Sequence, residues 1–182
     1  PGKGLEDATA AFFAWVGAMH RKYPDVVFEG CASGGGRFDG GILYYFPQIW
    51  TSDDSDAEER TLIQYGTSLA YPLSAMSCHV SKVPNNQTTR ITARKTRADI
   101  AHLGATGYEL DASDFTDEDR ALVREEIADY KRSEELILNG DLYRLENPFE
   151  SNFFSFMVVS KDKSYAELTA YVRNGRCNNK VH

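Results

Sequence analysis

Short apolar runs that alternate with stretches of helical spacing occupy residues 5–137 and leave few folds open to the chain. The runs are residues 26–29, 48–51, 73–80 and 105–110. In residues 5–22 the apolar positions Leu5, Ala8, Phe12, Trp15, Val16 and Met19 recur at three- and four-residue steps, the spacing of one helix face. Pro24 ends that helix, because the residue before a proline is pushed out of helical geometry. Ser55, with Glu58 three residues on, matches a capping box, so a helix is predicted to start there and to run through Leu62, Tyr65 and Leu69 until Pro72. Another helix is expected over residues 96–103. Thr116 with Asp119 is a second capping signal, opening a helix with Leu122, Val123, Ile127 and Tyr130 on one face.

Repeated strand-then-helix units predict a parallel sheet, since parallel neighbours need a crossover long enough to hold a helix. Folds of this kind gather their chemistry at the C-terminal ends of the strands. Two turns fall there. One is glycine-rich and begins at Cys31; the other is acidic and begins at Ser52. They are predicted to be neighbours in space.

After Ile137 the pattern changes. Asn139-Gly140-Asp141 is turn chemistry, and residues 142–145, 153–159 and 165–172 are short aromatic and β-branched runs joined by loops. These predict the start of an antiparallel β domain, dividing the chain into residues 1–137 and 138–182.

Charge narrows the partners. Lys and Arg number 20 against 27 Asp and Glu, a formal charge of −7 that repels nucleic acid and anionic membrane surfaces. The one basic run, with Arg90, Arg94, Lys95 and Arg97, reads as a solvated helix face. No apolar stretch approaches the ~20 residues of a membrane helix. Cys31, Cys78 and Cys177 form an odd, widely spaced set that favours a reducing, cytoplasmic location over a disulfide framework. The chain opens on Pro1 rather than Met, which implies a start further upstream.

Several residues can carry chemistry. In the acidic turn, Asp56 and Glu58 are placed in the first helical turn, where carboxylates favour the helix dipole, and this leaves Asp53, at the strand end, as the carboxylate best placed to face a pocket. The glycine turn lacks the Lys-Ser or Lys-Thr of a phosphate loop. As a nucleophile elbow it would need glycine two residues before Ser33, where Cys31 stands, although the order Ser33, Asp53, His79 matches that of α/β-hydrolases. A serine hydrolase using Ser33 is therefore one alternative. Cys78 and His79 are adjacent on a strand and point to opposite faces, which argues against a shared metal ion.

The segments FEGCASGGGRFD, LYYFPQIWTSDDSDAEER, IQYGTSLAYPLSAMSCHVSKVPN and GYELD, in this order, resemble α-galactosidases of glycoside hydrolase family 36 across essentially the whole chain. The resemblance implies the C-terminal half of a TIM-type (β/α)8 barrel, its last four βα units, followed by the start of an antiparallel β-sandwich. It also implies a retaining, two-step hydrolysis of terminal α-linked galactose from oligosaccharides of the raffinose and melibiose type, with no cofactor or metal. Asp53 corresponds to the general acid/base, with Asp54 the second choice. Cys31 and Gly34 correspond to positions lining the galactose pocket, with Ser33 close by and Trp50 as a support. Family members commonly form homo-oligomers, an expectation carried to the intact enzyme.

Two departures stand out. Asn86 occupies a place where relatives commonly carry histidine. The family's nucleophilic aspartate lies in a Lys-Trp-Asp segment that these 182 residues do not contain, so the chain is expected to be a fragment, inactive by itself. The alternative from another class is a galactose-binding or structural barrel protein without catalysis.

Overall fold

Four strands lie side by side in the order in which the chain makes them. The computed structural model of the protein describes residues 2–31 and 33–173. Helix α1 (Gly2–Lys22) leads to β1 (Glu29–Gly30), the short α2 (Gly40–Leu43), β2 (Gln48–Trp50), α3 (Ala57–Ser68), β3 (Met76–Ser81), α4 (Arg94–Ala101) and β4 (Ala105–Glu109). The strands pair in the order β1-β2-β3-β4, each pair parallel, with Glu29 opposite Gln48, Trp50 opposite Ser77 and His79 opposite Gly107. Doubly wound sheets reverse their strand order at a switch point. This sheet does not reverse, and steady winding in one direction is how a (β/α)8 barrel is built.

Helix α5 (Asp117–Asn139) then leads into β5 (Asp141–Glu146), β6 (Phe153–Val159) and β7 (Ala166–Val172), a three-stranded antiparallel sheet. The predicted fold class is therefore borne out: half of a parallel barrel with an antiparallel β sheet after it.

Local chemistry explains the helix starts. The Thr116 hydroxyl accepts from the Asp119 amide at 3.1 Å while the Asp119 carboxylate accepts from the Thr116 amide at 3.1 Å. That reciprocal cap contributes about 1 kcal/mol. The cap of α3 differs from the one predicted. Its N-cap is Asp56, one residue after Ser55, and the Asp56 carboxylate accepts from the Glu58 and Glu59 amides at 2.8 and 3.3 Å. Ser55 instead bonds sideways to Asn85 and Gln87 in a later loop.

The core lies between the sheet and its helices, and it continues into the second sheet. Ala57 and Tyr65 of α3, Met76 and Cys78 of β3, Ile100, Leu136 and Ile137 form one buried cluster with Phe154, Phe156 and Val158 of β6. Tyr65 stacks on Phe156 at 5.8 Å between ring centroids, and Arg144 Nε donates to Ser68 Oγ at 2.8 Å, so β5 and β6 are seated on α3.

Other expectations need correction. Val26 and Val27 lie outside β1, and Val27 is 74 % exposed, because β1 begins only at Glu29, where pairing with Gln48 becomes available. Residues 73–75 form a 3-10 turn rather than strand. Leu69 follows the end of α3 and is exposed; Leu122 and Ile127 of α5 are also exposed, whereas Tyr130 is buried. The face of α1 is only partly covered: Val16 is buried, while Trp15 is 59 % exposed and Tyr44, after α2, is 83 % exposed. The side chain of Leu5, Ala32 of the glycine turn and Cys177 lie outside the described residues. Among the described residues no helix is long and apolar enough to cross a membrane.

Candidate active site

The C-terminal ends of β1 and β2 carry the two turns, and the turns touch. The Gly35 amide donates to the Thr51 carbonyl at 2.9 Å. Gly34 has φ +70°, and a Cβ there would stand 2.6 Å from Ser52 Cα and 3.0 Å from the Asp53 nitrogen. Only glycine lets the first turn lie this close to the second. Ser33, at φ 50°, shares the left-handed bend and is exposed. Cys31 is a free, exposed thiol that also lines a cavity of about 200 Å³ shared with Phe12, Arg37 and Phe46.

Three successive carbonyls of the acidic turn are each held by a donor from a different part of the chain. Thr51 O accepts from the Gly35 amide at 2.9 Å, Ser52 O from Arg60 Nη1 at 3.3 Å, and Asp53 O from Gln87 Nε2 at 2.6 Å. The turn is also bonded within itself. Ser52 Oγ accepts from the Asp54 amide at 3.1 Å, and Asp54 Oδ1 accepts from the Asp56 amide at 3.0 Å. Asp54 thus spends its carboxylate on the approach to α3. The Asp53 side chain is exposed, and among the described residues no hydrogen bond or ion pair reaches its carboxylate. The Asp53 backbone is thus held while its carboxyl group stays exposed.

Beneath the turn lies a stack of three planar groups. The Arg60 guanidinium sits 4.5 Å from the Trp50 ring centroid, and the His79 imidazole stacks on Trp50 at 4.4 Å. Arg60 is 2 % exposed and also donates to Ser77 O at 2.7 Å and Gln64 Oε1 at 3.2 Å. Trp50 is therefore covered by its neighbours. Burial lowers the His79 pKa, and the nearby Glu29 and Glu109 carboxylates only partly offset it.

Asp56 anchors the far side. Its carboxylate accepts from Thr88 Oγ1 and Arg90 Nη1, both at 2.5 Å. Burial would raise its pKa, but the hydrogen bonds from Thr88, Arg90 and the Glu58 and Glu59 amides outweigh that and hold it below the ordinary carboxylate value. Arg90 also pairs with Glu58 and Glu59, Arg94 pairs with Asp119 and Glu126, and Arg97 is half-buried against the Ser81 and Thr92 carbonyls. Only Lys95 of the basic run, paired with Asp99, fits the solvated face predicted for it.

The rival chemistries lack their geometry. His79 stacks on Trp50 with Nδ1 directed toward Glu109 at 3.9 Å, and among the described residues no hydrogen bond joins it to Ser33. Cys78 faces away from His79, buried near Arg60 and the Leu103 carbonyl, and burial raises its pKa. Among the described residues no three His, Cys, Asp or Glu side chains gather as metal ligands.

Gln87, Arg60 and Arg90 were missed by sequence reasoning. Gln87 sits in a polar loop after β3, the one signal available, since loops at the C-terminal ends of strands build the sites of such folds.

Known proteins share this fold. The chain is 50 % identical over 152 residues to alpha-galactosidase AgaA of Geobacillus stearothermophilus, covering 84 % of this chain and 21 % of that protein. It is 51 % identical over 167 residues to the bifunctional alpha-galactosidase/sucrose kinase AgaSK of Mediterraneibacter gnavus, covering 92 % and 18 %. The crystal structure of AgaA in complex with raffinose superposes with a TM-score of 0.88 at 44 % identity, over 91 % of this chain and 23 % of that one. The chain thus spans about a fifth of the length of the curated relatives it matches. The sequence pattern of the Melibiase family matches residues 6–140, most of the chain and both turns, and with the barrel arc and the relatives at half identity it establishes that the chain belongs to the Melibiase family, the α-galactosidases of glycoside hydrolase family 36.

Proposed function

We propose that these residues supply the acid/base side of a retaining α-galactosidase. The observation that carries the reading is the free carboxyl group of Asp53 on a backbone held at three consecutive carbonyls, while Asp54 is engaged by the helix cap. In the first step protonated Asp53 gives its proton to the glycosidic oxygen as the bond to the anomeric carbon breaks and a second carboxylate takes that carbon. In the second step ionised Asp53 removes a proton from water, which attacks the anomeric carbon and releases galactose with its original configuration. The second carboxylate belongs to residues outside these 182, about 5 to 5.5 Å from Asp53, as retaining enzymes require. By itself the chain is then an inactive part of a larger protein.

Cys31, Ser33 and Gly34 shape one wall of the galactose pocket, and Trp50 supports it from below. Residues 1–137 form the catalytic part and residues 138–182 begin the β-sandwich. Relatives solved with raffinose and with stachyose support oligosaccharides ending in α-galactose as the substrate class. The test is incubation of the full-length protein with raffinose, followed by proton NMR. Release of galactose, α-anomer first, is expected. Binding of galactose without any release would replace the enzyme with the non-catalytic barrel.

A further inference from the structure

The loop between β3 and α4 is built to hold one amide group against the acidic turn. Asn85, buried at its centre, accepts from the Gln87 and Thr88 amides at 2.9 and 3.1 Å and donates through Nδ2 to Ser55 Oγ at 3.2 Å. The loop is closed by the Asn85 amide donating to Arg90 O at 2.9 Å, and its far end is bound to the α3 cap through Thr88 and Arg90 on Asp56. From this frame the Gln87 side chain reaches back. Its Nε2 donates to Asp53 O at 2.6 Å, and its Oε1 accepts from Ser55 Oγ at 3.3 Å. The orientation of the amide follows from chemistry: a carbonyl oxygen can only accept, so the nitrogen must face Asp53.

We propose that Gln87 is a positioning residue for Asp53, a role that rests on the acid/base reading above. Holding the Asp53 carbonyl fixes the plane of the peptide after Cα and thereby the direction in which the side chain leaves the backbone. The Gly35 and Arg60 bonds fix the two preceding peptides, and the Asp54 amide on Ser52 Oγ restrains the following one from within the turn, so Gln87 supplies the restraint nearest to the carboxyl group that comes from outside the turn. Gln87 is exposed and packs no core, so its removal leaves the fold and releases the turn.

The test compares Gln87→Ala and the isosteric Gln87→Glu with Asp53→Ala, all in the full-length protein, on raffinose and on an aryl α-galactoside with a good leaving group. Glutamate keeps the shape of the side chain but, ionised at neutral pH, cannot donate. Both Gln87 variants should lose roughly 10- to 100-fold in kcat on raffinose, the scale of a misplaced catalytic group, with small changes in KM and in the rate on the aryl substrate. Asp53→Ala should show the same selectivity with a deeper loss. Equal losses on both substrates in the Gln87 variants, or no loss on either, while Asp53→Ala stays selective, would overturn the positioning role and leave the acid/base reading intact. An unselective Asp53→Ala would remove the acid/base reading and the proposal with it.

Discussion

Arg90 Nη1 lies 2.5 Å from Asp56 Oδ1, joining the loop after β3 to the first turn of α3 through a carboxylate that is 1 % exposed. The pair ties together the two segments that meet at Asp53: α3, which carries Arg60, and the loop, which carries Gln87.

Acid should therefore loosen the site. The folded pKa of Asp56 lies below its unfolded value, so its contribution to stability is fully present above about pH 4 and is lost as pH falls through the folded pKa. Asp56→Asn should cost about 1–3 kcal/mol at pH 7, the scale of leaving buried donors without their charged partner. It should also flatten the decline in stability below pH 4. Urea midpoints of both proteins from pH 7 to pH 3 measure this, and parallel declines would remove Asp56 from the role.

Gly34→Ala brings a Cβ to 2.6 Å from the Ser52 Cα, a backbone atom that cannot swing aside, at a position already in left-handed geometry. The left-handed conformation alone costs about 1–2 kcal/mol for a residue with a Cβ. Displacement of the Ser52-Asp53 turn should lower kcat/KM by about tenfold or more, following the cost of small misplacements near a reacting group. Gly4→Ala, in α1 with nothing within 4 Å of the added Cβ, should leave activity unchanged and raise the melting temperature slightly.

Arg60→Lys tests the stack under the turn. Lysine lacks the planar fork that reaches Ser52 O, Ser77 O and Gln64 together while lying over Trp50. A drop in melting temperature of several degrees is expected, with intrinsic fluorescence reporting the change around Trp50. An unchanged melting temperature would mean that one donor suffices there.

What was legible in the sequence were the features set by near neighbours. Thr116 and Asp119 announced their cap because a capping box is complete within four residues. The runs around Ile49 and Val80 read as strands because their burial follows from β-branched and apolar content alone. Asp53 stood out by its place at a strand end, next to a glycine turn that had to come close. The failures at the site share a cause, which is that the partner arrives from far along the chain. Ser55 and Asp56 compete for the cap of α3, and Asp56 wins with Thr88 and Arg90, 32 and 34 residues away. Arg90, Arg94 and Arg97 looked like surface charge, yet their carboxylate and carbonyl partners are supplied by α3, α5 and the end of β3. Gln87 carries no local signal, because its acceptor is a backbone carbonyl, which every residue has.

Azide chemistry reads directly the proton transfer proposed for Asp53. In full-length Asp53→Ala, hydrolysis of raffinose should fall by roughly 10²- to 10⁴-fold, the range of general acid–base catalysis, while an activated aryl α-galactoside still forms the glycosyl-enzyme. Azide, which needs no base, should then capture that intermediate and give α-galactosyl azide with a raised turnover. Equal losses on both substrates with no azide product would contradict the assignment of Asp53 as the acid/base.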